Sequence, residues 1–512
     1  MISHRSALQM KSPPANRKAR VSRFLHLLGI ALLLTTLLAS SSQYARAGGT
    51  FVVTVLNDGD DLTPGDGICD IGLGACTLRA AIQEANAYAG ADAITFNLAG
   101  SGIQTLDINS SPLPDITEAV MLDGTSQPGC VVPCIALSGS AASGPGNNGL
   151  TLASNGSTIK GLIITSWVGG DGISVTGDNN IIQSNDIGFW PGSIAPLPNN
   201  VGISLVGSSN LVGGAQASQR NVISGNSFEG IIVANPGCCT DSTSNVVRNN
   251  YIGTNPAGSA ARGNDQSGIL LNEESNWAVI RDNLISGNQG WGIVLTSARD
   301  TAMYGNKIGT NAAGTAALGN GLGGILLQSG AIYNFVGGTL AGQPNNISYN
   351  HGPGVSVINV GTLQNRIQRN SIFANTRLGI DLGRAGVTPN DSRDMDGGPN
   401  MLQNYPVLSA ATSATRLITG SLNSMPNRDY MIEFYSSPAG SCDASGHGEG
   451  KKFIGARAVT TNAAGIVSFS YRTPAAFGVG QVITATAMDN EFPSPLDTQY
   501  GTSEFSVCST AK

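Results

Sequence analysis

"YIGTNPAGSAARGN" (Tyr251–Asn264) returns fifty-six residues later as "KIGTNAAGTAALGN" (Lys307–Asn320), with ten of fourteen positions unchanged. A phrase this mixed, written twice, marks one structural unit built twice. Shorter echoes surround it. "GI" followed by alternating aliphatics recurs at Gly172, Gly202, Gly230, Gly268, Gly292 and Gly324, then as "GVSV" at Gly354 and "GIDL" at Gly379. Between these stand "NIIQSNDIG" (from Asn180), "NVVRNNYIG" (Asn245), "AVIRDNLISGN" (Ala278) and "NRIQRNSIFAN" (Asn365). "ISGN" at Ile223 comes back at Ile285 and, as "ISYN", at Ile347, each 62 residues on. Two rungs, one short and one carrying the "GTN" insertion, therefore make one super-repeat.

Each rung holds alternating runs of three to five residues separated by Asn and Gly, with no helical periodicity between them. Strands this short find partners only if each pairs with its copy one rung later. The chain then winds as a parallel β-helix whose inward Ile, Val and Leu form a continuous column. Asn185, Asn250, Asn283, Asn306 and Asn370 fall at corresponding corners, where Asn tolerates left-handed backbone and can hydrogen-bond to the Asn above. The duplicated phrase is then one rung's excursion loop.

Composition agrees. Charged residues are 12% of the 512 against a usual ~25%, aromatics are 5%, and Gly reaches 68. The start reads as an export address: a basic region from Arg5 to Arg23, the apolar run "FLHLLGIALLLTTLLAS" from Phe24, and "ARA" at Ala45–Ala47 as a cleavage site. A mature chain beginning near Gly48, with residues 1–47 as signal peptide, is expected to carry no transmembrane span. Removing the seven basic residues of that leader leaves 20 positive and 33 negative, a net charge of −13 that repels phosphate backbones and sets nucleic acid aside as a partner. All eight cysteines lie beyond residue 47, and proximity suggests the pairs Cys69–Cys76, Cys130–Cys134 and Cys442–Cys508, with the adjacent Cys238 and Cys239 unassigned.

A solenoid exposes its core at both ends. "CTLRAAIQEANAYAG" (Cys76–Gly90) suits one of them as a helix, with Thr77 as N-cap, Leu78, Ala81, Ile82 and Ala85 on one face and Gly90 as the stop. After Tyr405 the texture changes to longer alternating runs, "YMIEFYSS", "KKFIGARAVTT", "GIVSFSYRT", "GQVITATAMD" and "TSEFSVC", which predict six or seven strands in an immunoglobulin-like β-sandwich over 405–512. The expected order is thus a cap over 48–92, a right-handed parallel β-helix over 93–404 and the sandwich, an all-β protein.

"GDGICDIGLGACTLRAAIQEANA" resembles the CSLREA domain at the start of many exported bacterial proteins, and "AITFNLAGSGIQTL" with "PLPDITEAVMLDGTSQPG" resembles the first rungs that follow it there. "IGTN.AG.A..GN" and "LGID" resemble that family's right-handed β-helix repeats, so the likeness covers most of the mature chain. It departs where the family's Ser is Thr77 and its Glu is Ala80, which keeps the capping hydroxyl and loses the reciprocal carboxylate. The resemblance implies a fold and an exported location more than an activity.

For chemistry, the outward middle position of the "GI" strand reads Ser174, Ser204, Ile232, Leu270, Val294, Leu326, Ser356, Asp381, which offers little to a metal or a proton shuttle. The neighbouring strand gives Gln183, Arg248, Arg281, Tyr304 and Gln368, a row able to meet a sugar chain or simply face water. Glu273 and Glu274 stand isolated. "GHG" at Gly446 and the GxGxxG spacing of Gly319, Gly321 and Gly324 lack the context their signatures require. "NDSRDMDGGPN" (Asn390–Asn400) is the one candidate metal loop: Asp391, Asp394 and Asp396 crowd carboxylates as Ca²⁺ prefers, for a structural role at the joint, and "NDGDDLTPGDG" (Asn57–Gly67) is a weaker version. These readings point to a secreted or cell-surface structural or binding protein. It would meet a polysaccharide or surface partner through the apolar strand face and the loops at 189–200, 254–267 and 310–323, with a polysaccharide lyase or glycoside hydrolase as the alternative.

Overall fold

The structure, a computed structural model, describes residues 48–512 apart from 109–110, 131–132, 143–145, 194, 235–241, 274, 384–385 and 490–500. The leader, Cys238, Cys239 and Glu274 lie outside the described residues.

Three parallel sheets of 11, 10 and 9 strands carry the repeat. The first runs from Thr50–Val53 to Arg366–Gln368, the second from Gln104–Asp107 to Ser371–Phe373, and the third from Leu150–Leu152 to Ile380–Leu382. Within each sheet the strands follow in chain order, so every turn of the chain lays one strand on each face. Ile231 pairs with Ile269 and Ile269 with Ile293, which places residues 62 apart two coils away along one line. In the first sheet Ile182, Val212, Val247, Ile280, Met303, Val336 and Ile367 point inward and are all but fully buried. Each such side chain contributes roughly 1.5–3 kcal/mol by leaving water, which strands of two or three residues could not collect without neighbours above and below.

The corners explain the asparagines. From Asn185 through Asn221, Asn250, Asn283, Asn306 and Asn345 to Asn370, each side-chain oxygen accepts the backbone N–H of the Asn one coil earlier. Each amide nitrogen in turn donates to a carbonyl of the preceding coil, as Asn283 Nδ2 does to Val247 at 2.9 Å. A second such ladder, from Asn199 through Asn226, Asn264, Asn288, Asn320 and Asn350 to Asn375, holds the turn into the third sheet. Backbone groups buried at a turn need partners, and a stacked amide supplies both a donor and an acceptor. At the neighbouring corner the repeated glycine is a matter of space: a Cβ on Gly202, Gly230 or Gly268 would lie 2.5, 2.7 or 2.8 Å from the next coil's glycine carbonyl.

The duplicated phrase is an excursion after the second sheet. Asn255 and Asn311 each fold it by accepting backbone N–H groups four and five residues on, and Thr254–Ala261 and Thr310–Ala317 close the two loops identically. Such loops occur on alternate coils, and Ala312 N–H reaches the Gly258 carbonyl at 2.8 Å across the short coil between them. That contact is the physical basis of the two-rung period.

Both ends of the column are closed. The helix α1 (Leu78–Ala87) presents Leu78, Ala81, Ile82 and Ala85 to Phe51, Val53, Ile94 and Phe96. Thr77 Oγ1 caps it by accepting from Ala80 N–H at 3.1 Å, and it stops at Tyr88 rather than at Gly90. The winding itself begins ahead of α1, since Thr50–Val53 pairs with Ala93–Phe96. Arg79 is buried against Asp58 with two bonds of 2.8 and 2.9 Å. At the other end Tyr435, from the four-stranded of two antiparallel sheets, and Phe505, from the segment before its last strand, join the column's core, while the two sheets, of three and four strands, share their own core around Ile418, Phe434, Phe469 and Ile483.

"TSEFSVC", expected as a strand, forms only isolated bridges at Thr502 and Val507, and the last short strand is Ser509–Thr510. Its side chains explain why. Ser503 and Ser506 hydroxyls take the N–H groups of Ala487 and Ala485 in place of a regular ladder, while Glu504 turns to the solenoid. All three expected disulfides, Cys69–Cys76, Cys130–Cys134 and Cys442–Cys508, are present.

Candidate functional site

The outward column of the third sheet is in register from end to end, Ser174 to Ser204 to Ile232 to Leu270 to Val294 to Leu326 to Ser356 to Asp381. Its exposure is uneven. Ser174, Ser204, Ile232 and Leu270 are half-buried, whereas Val294 and Leu326 are buried in a small cluster with Trp291 and Ile358 on the outside of the sheet. The apolar stripe is therefore mostly consumed by its own neighbours. The excursion loops do not cover it: Gly258 lies against Tyr251 and Leu284, outward residues of the second sheet.

Where the cluster ends, a pocket of about 300 Å³ opens, lined by Trp291, Leu322, His351, Pro353, Ser356, Arg377 and Asp381 from successive coils. Trp291, 8% exposed, packs against Gly323 of the next coil, where a Cβ would lie 2.2 Å from the indole. Ser356 is fully buried and its hydroxyl has no hydrogen-bond partner among the described residues. Such an orphan costs about 1–3 kcal/mol, and it lies beneath the pocket surface rather than on it. Asp381 is 4% exposed at the back, and His351 and Arg377 stand exposed at the mouth. An indole edge, a buried carboxylate, an imidazole and a guanidinium make a concave site with convergent polar groups.

Of these residues only Ser356 and Asp381 were legible from the column. The others sit at the start of the strand or in the turn just before it, where "NQGWGI", "HGPGV" and "TRLGI" place Trp, His and Arg ahead of the repeated glycine. That change of residue type was the available signal.

The other candidates fall to structural roles. In the first-sheet row, Arg248 and Arg281 both reach Asp282, at 3.3 and 3.0 Å, and Gly213 and Gly337 interrupt the line. His447 of "GHG" is buried, with Nδ1 3.1 Å from the Phe505 carbonyl and its ring against Tyr405. Gly319 and Gly321 of the GxGxxG spacing are needed because a Cβ on either would stand 2.2 Å from a carbonyl of an adjacent coil. In "NDGDDLTPGDG", Asp58 is taken by Arg79, Asp60 by Gln83, and Asp61 by the N–H groups of Thr63 and Asp70.

Asp391, Asp394 and Asp396 do come together, each offering one oxygen within 4.8 Å of the others. Asp394 is buried and accepts from Asn404 N–H and the Ser424 hydroxyl. Burial raises its pKa to about 7, with Asp396 and Asp391 adding to the rise. Asp396 is raised too, by burial and by Asp391, and its buried Oδ1 has no partner among the described residues.

At the joint, three glutamates cap the last coil, Glu433 from a strand of the four-stranded antiparallel sheet and Glu449 and Glu504 from the segments that connect its strands. Glu449 Oε1 accepts both N–H and Nδ2 of Asn375, ending that asparagine ladder, Glu504 accepts from Leu382 and Thr388, and Glu433 accepts from Arg369. Burial pushes Glu449 and Glu504 up to about 7.

A family model described as a right-handed β-helix region matches residues 119–322. No curated protein sequence matches the chain. Among solved structures, a double mutant of the periplasmic alginate epimerase AlgG aligns at 14% identity and TM-score 0.33, over 52% of this chain and 56% of that one, so the chain spans little more than half of that relative. The Azotobacter vinelandii mannuronan C-5 epimerase AlgE4 A-module aligns at 15% and 0.37 over 68% of this chain and 92% of the other; the Dettilon tailspike protein aligns at 16% and 0.34 over 86% and 85%. Likenesses this distant carry no argument about activity. The fold rests on the three parallel sheets and the family match, which together make the central part of this protein a right-handed β-helix.

Proposed function

We propose that this protein is exported and binds a glycan at a cell surface or outside the cell, on the outer face of the third sheet. The observation that carries the reading is the pocket lined by Trp291, His351, Pro353, Arg377 and Asp381, with the exposed His351 and Arg377 at its mouth. A CSLREA-like start, the apolar leader and disulfides beyond it support export, and no described helix is long and apolar enough to cross a membrane. The helix α1 serves as N-terminal cap and the C-terminal sheets as an immunoglobulin-like sandwich that seals the other end.

Binding is favoured over cleavage because the outward column offers one acid, Asp381, with no second carboxylate in the pocket lining to share acid and base roles. The test incubates the exported protein with a panel of immobilised polysaccharides and follows both retention and chain ends. Retention without new reducing or ultraviolet-absorbing unsaturated ends is expected. No retention on any polysaccharide, or the appearance of such ends, overturns the reading.

A second, structural role is proposed for Asp391, Asp394 and Asp396 as a Ca²⁺ site that stiffens the joint. It is supported by three carboxylates close enough to repel one another, which a divalent cation would relieve. Calorimetric titration should show one Ca²⁺ bound, lost in Asp396→Asn; an unchanged titration in that variant rules the site out.

A further inference from the structure

Arginines along the solenoid mostly spend their guanidinium groups on their own chain. Arg248 and Arg281 share Asp282, Arg299 pairs with Asp300, Arg369 with Glu433, and Arg220 bonds Asn249. Arg377 does not. Among the described residues its guanidinium makes no hydrogen bond or ion pair, although Asp381 lines the same pocket, and the ring of His351 is likewise unbonded. An imidazole and a guanidinium thus stand exposed at the mouth of a pocket that Trp291 also lines.

Neutral sugars are held by carboxylates, amides and aromatic faces, and an unpaired planar guanidinium adds little for them. It matches an oxyanion, to which it gives two parallel hydrogen bonds, and an imidazole beside it supplies one more. The cavity, about 300 Å³, is at the small end for ligand sites and suits one unit of a chain better than several. Resting on the glycan-binding reading above, we propose that the pocket takes a single sugar unit bearing an oxyanion, a carboxylate or a sulfate ester. Arg377 and His351 bind the anion, and the exposed edge of Trp291 meets the sugar ring. The chain's acidity sharpens the point: with net charge −6 over the whole sequence, cations left free in a cleft are not general surface decoration.

The experiment measures affinity of the exported protein for three oligosaccharides of equal length, a uronate, a sulfated chain and a neutral chain, in wild type, Arg377→Ala and His351→Ala. Arg377 is exposed, so its removal leaves the fold intact. We expect one or both anionic chains to bind at least tenfold more tightly than the neutral one, with that preference abolished in Arg377→Ala and reduced in His351→Ala. The arm that binds names the oxyanion. Equal or tighter binding of the neutral chain, or an anionic preference that survives Arg377→Ala, overturns the inference while leaving glycan binding in place. If none of the three binds, the inference and the reading beneath it both fall.

Discussion

Replacing Asn283 by alanine removes one rung of an amide ladder and should cost as much as a large cavity in the core. Asn283 is 1% exposed. Its Oδ1 takes the backbone N–H of Asn250 at 2.9 Å and Asn250 Nδ2 at 3.1 Å, while its Nδ2 gives to the Val247 carbonyl at 2.9 Å and to Asn306 Oδ1 at 3.0 Å. Two of these partners have alternatives: Asn250 Nδ2 keeps the Val212 carbonyl, and Asn306 Oδ1 keeps the N–H of residue 283. The N–H of Asn250 loses its partner in a site that water does not reach, while the Val247 carbonyl loses one of two bonds and keeps the one that the strand register gives it from Arg281. At about 1–3 kcal/mol for the buried group left unpaired, plus the second bond lost at Val247, Asn283→Ala should destabilise by roughly 2–3 kcal/mol. Asn283→Asp keeps the acceptor for Asn250 but turns the donor into an oxygen facing two oxygens, and should be worse. Asn276→Ala is the control, since that side chain makes one 3.3 Å bond near the surface and should cost under about 1 kcal/mol. Guanidinium unfolding followed by far-ultraviolet circular dichroism reads the difference as a shift in midpoint. An Asn283→Ala midpoint within about 1 kcal/mol of wild type would refute the ladder as a source of stability.

Ile293→Ala, at a fully buried position two coils from Ile231, should lose about 2–5 kcal/mol in the same assay, and a loss under 1 would argue against a single packed column. The joint should weaken with alkalinity. Glu449 and Glu504 rise from 4.5 to about 7 chiefly by burial, with Asp443 and Asp381 respectively adding to the rise. A carboxyl raised in the folded state gives its full stability below about pH 4.5 and loses it as pH climbs through 7, up to roughly 3 kcal/mol per group. Thermal unfolding at pH 5 and 8 should therefore show the protein more stable at pH 5, and Glu449→Gln, which keeps an acceptor for Asn375, should flatten the difference; a steeper dependence in that variant contradicts the assignment.

What the sequence disclosed follows from what repetition can encode. Stacking needs the same residue at the same place in each coil, so Ile231, Ile269 and Ile293, the glycine corner and the ladder asparagines all leave a periodic trace. Asn221 and Asn345 escaped notice because loops of differing length shift them in the text while leaving them in line in space. The pocket was only half legible for the opposite reason: Trp291, His351 and Arg377 are deviations from the repeat, each occurring once. Nor could pattern alone show that Val294 and Leu326 would be covered by Trp291 and Ile358, or that Glu449 would end a ladder whose other members are asparagines.

His351 gives the most direct test of where the glycan sits. It is exposed at the pocket mouth, while His447, the other histidine beyond the leader, is buried. Labelling with diethylpyrocarbonate, read residue by residue by mass spectrometry, should modify His351 in the free protein and lose that modification at saturating oligosaccharide, with His447 unlabelled throughout. Saturating glycan that left His351 as reactive as before would place binding elsewhere on the molecule.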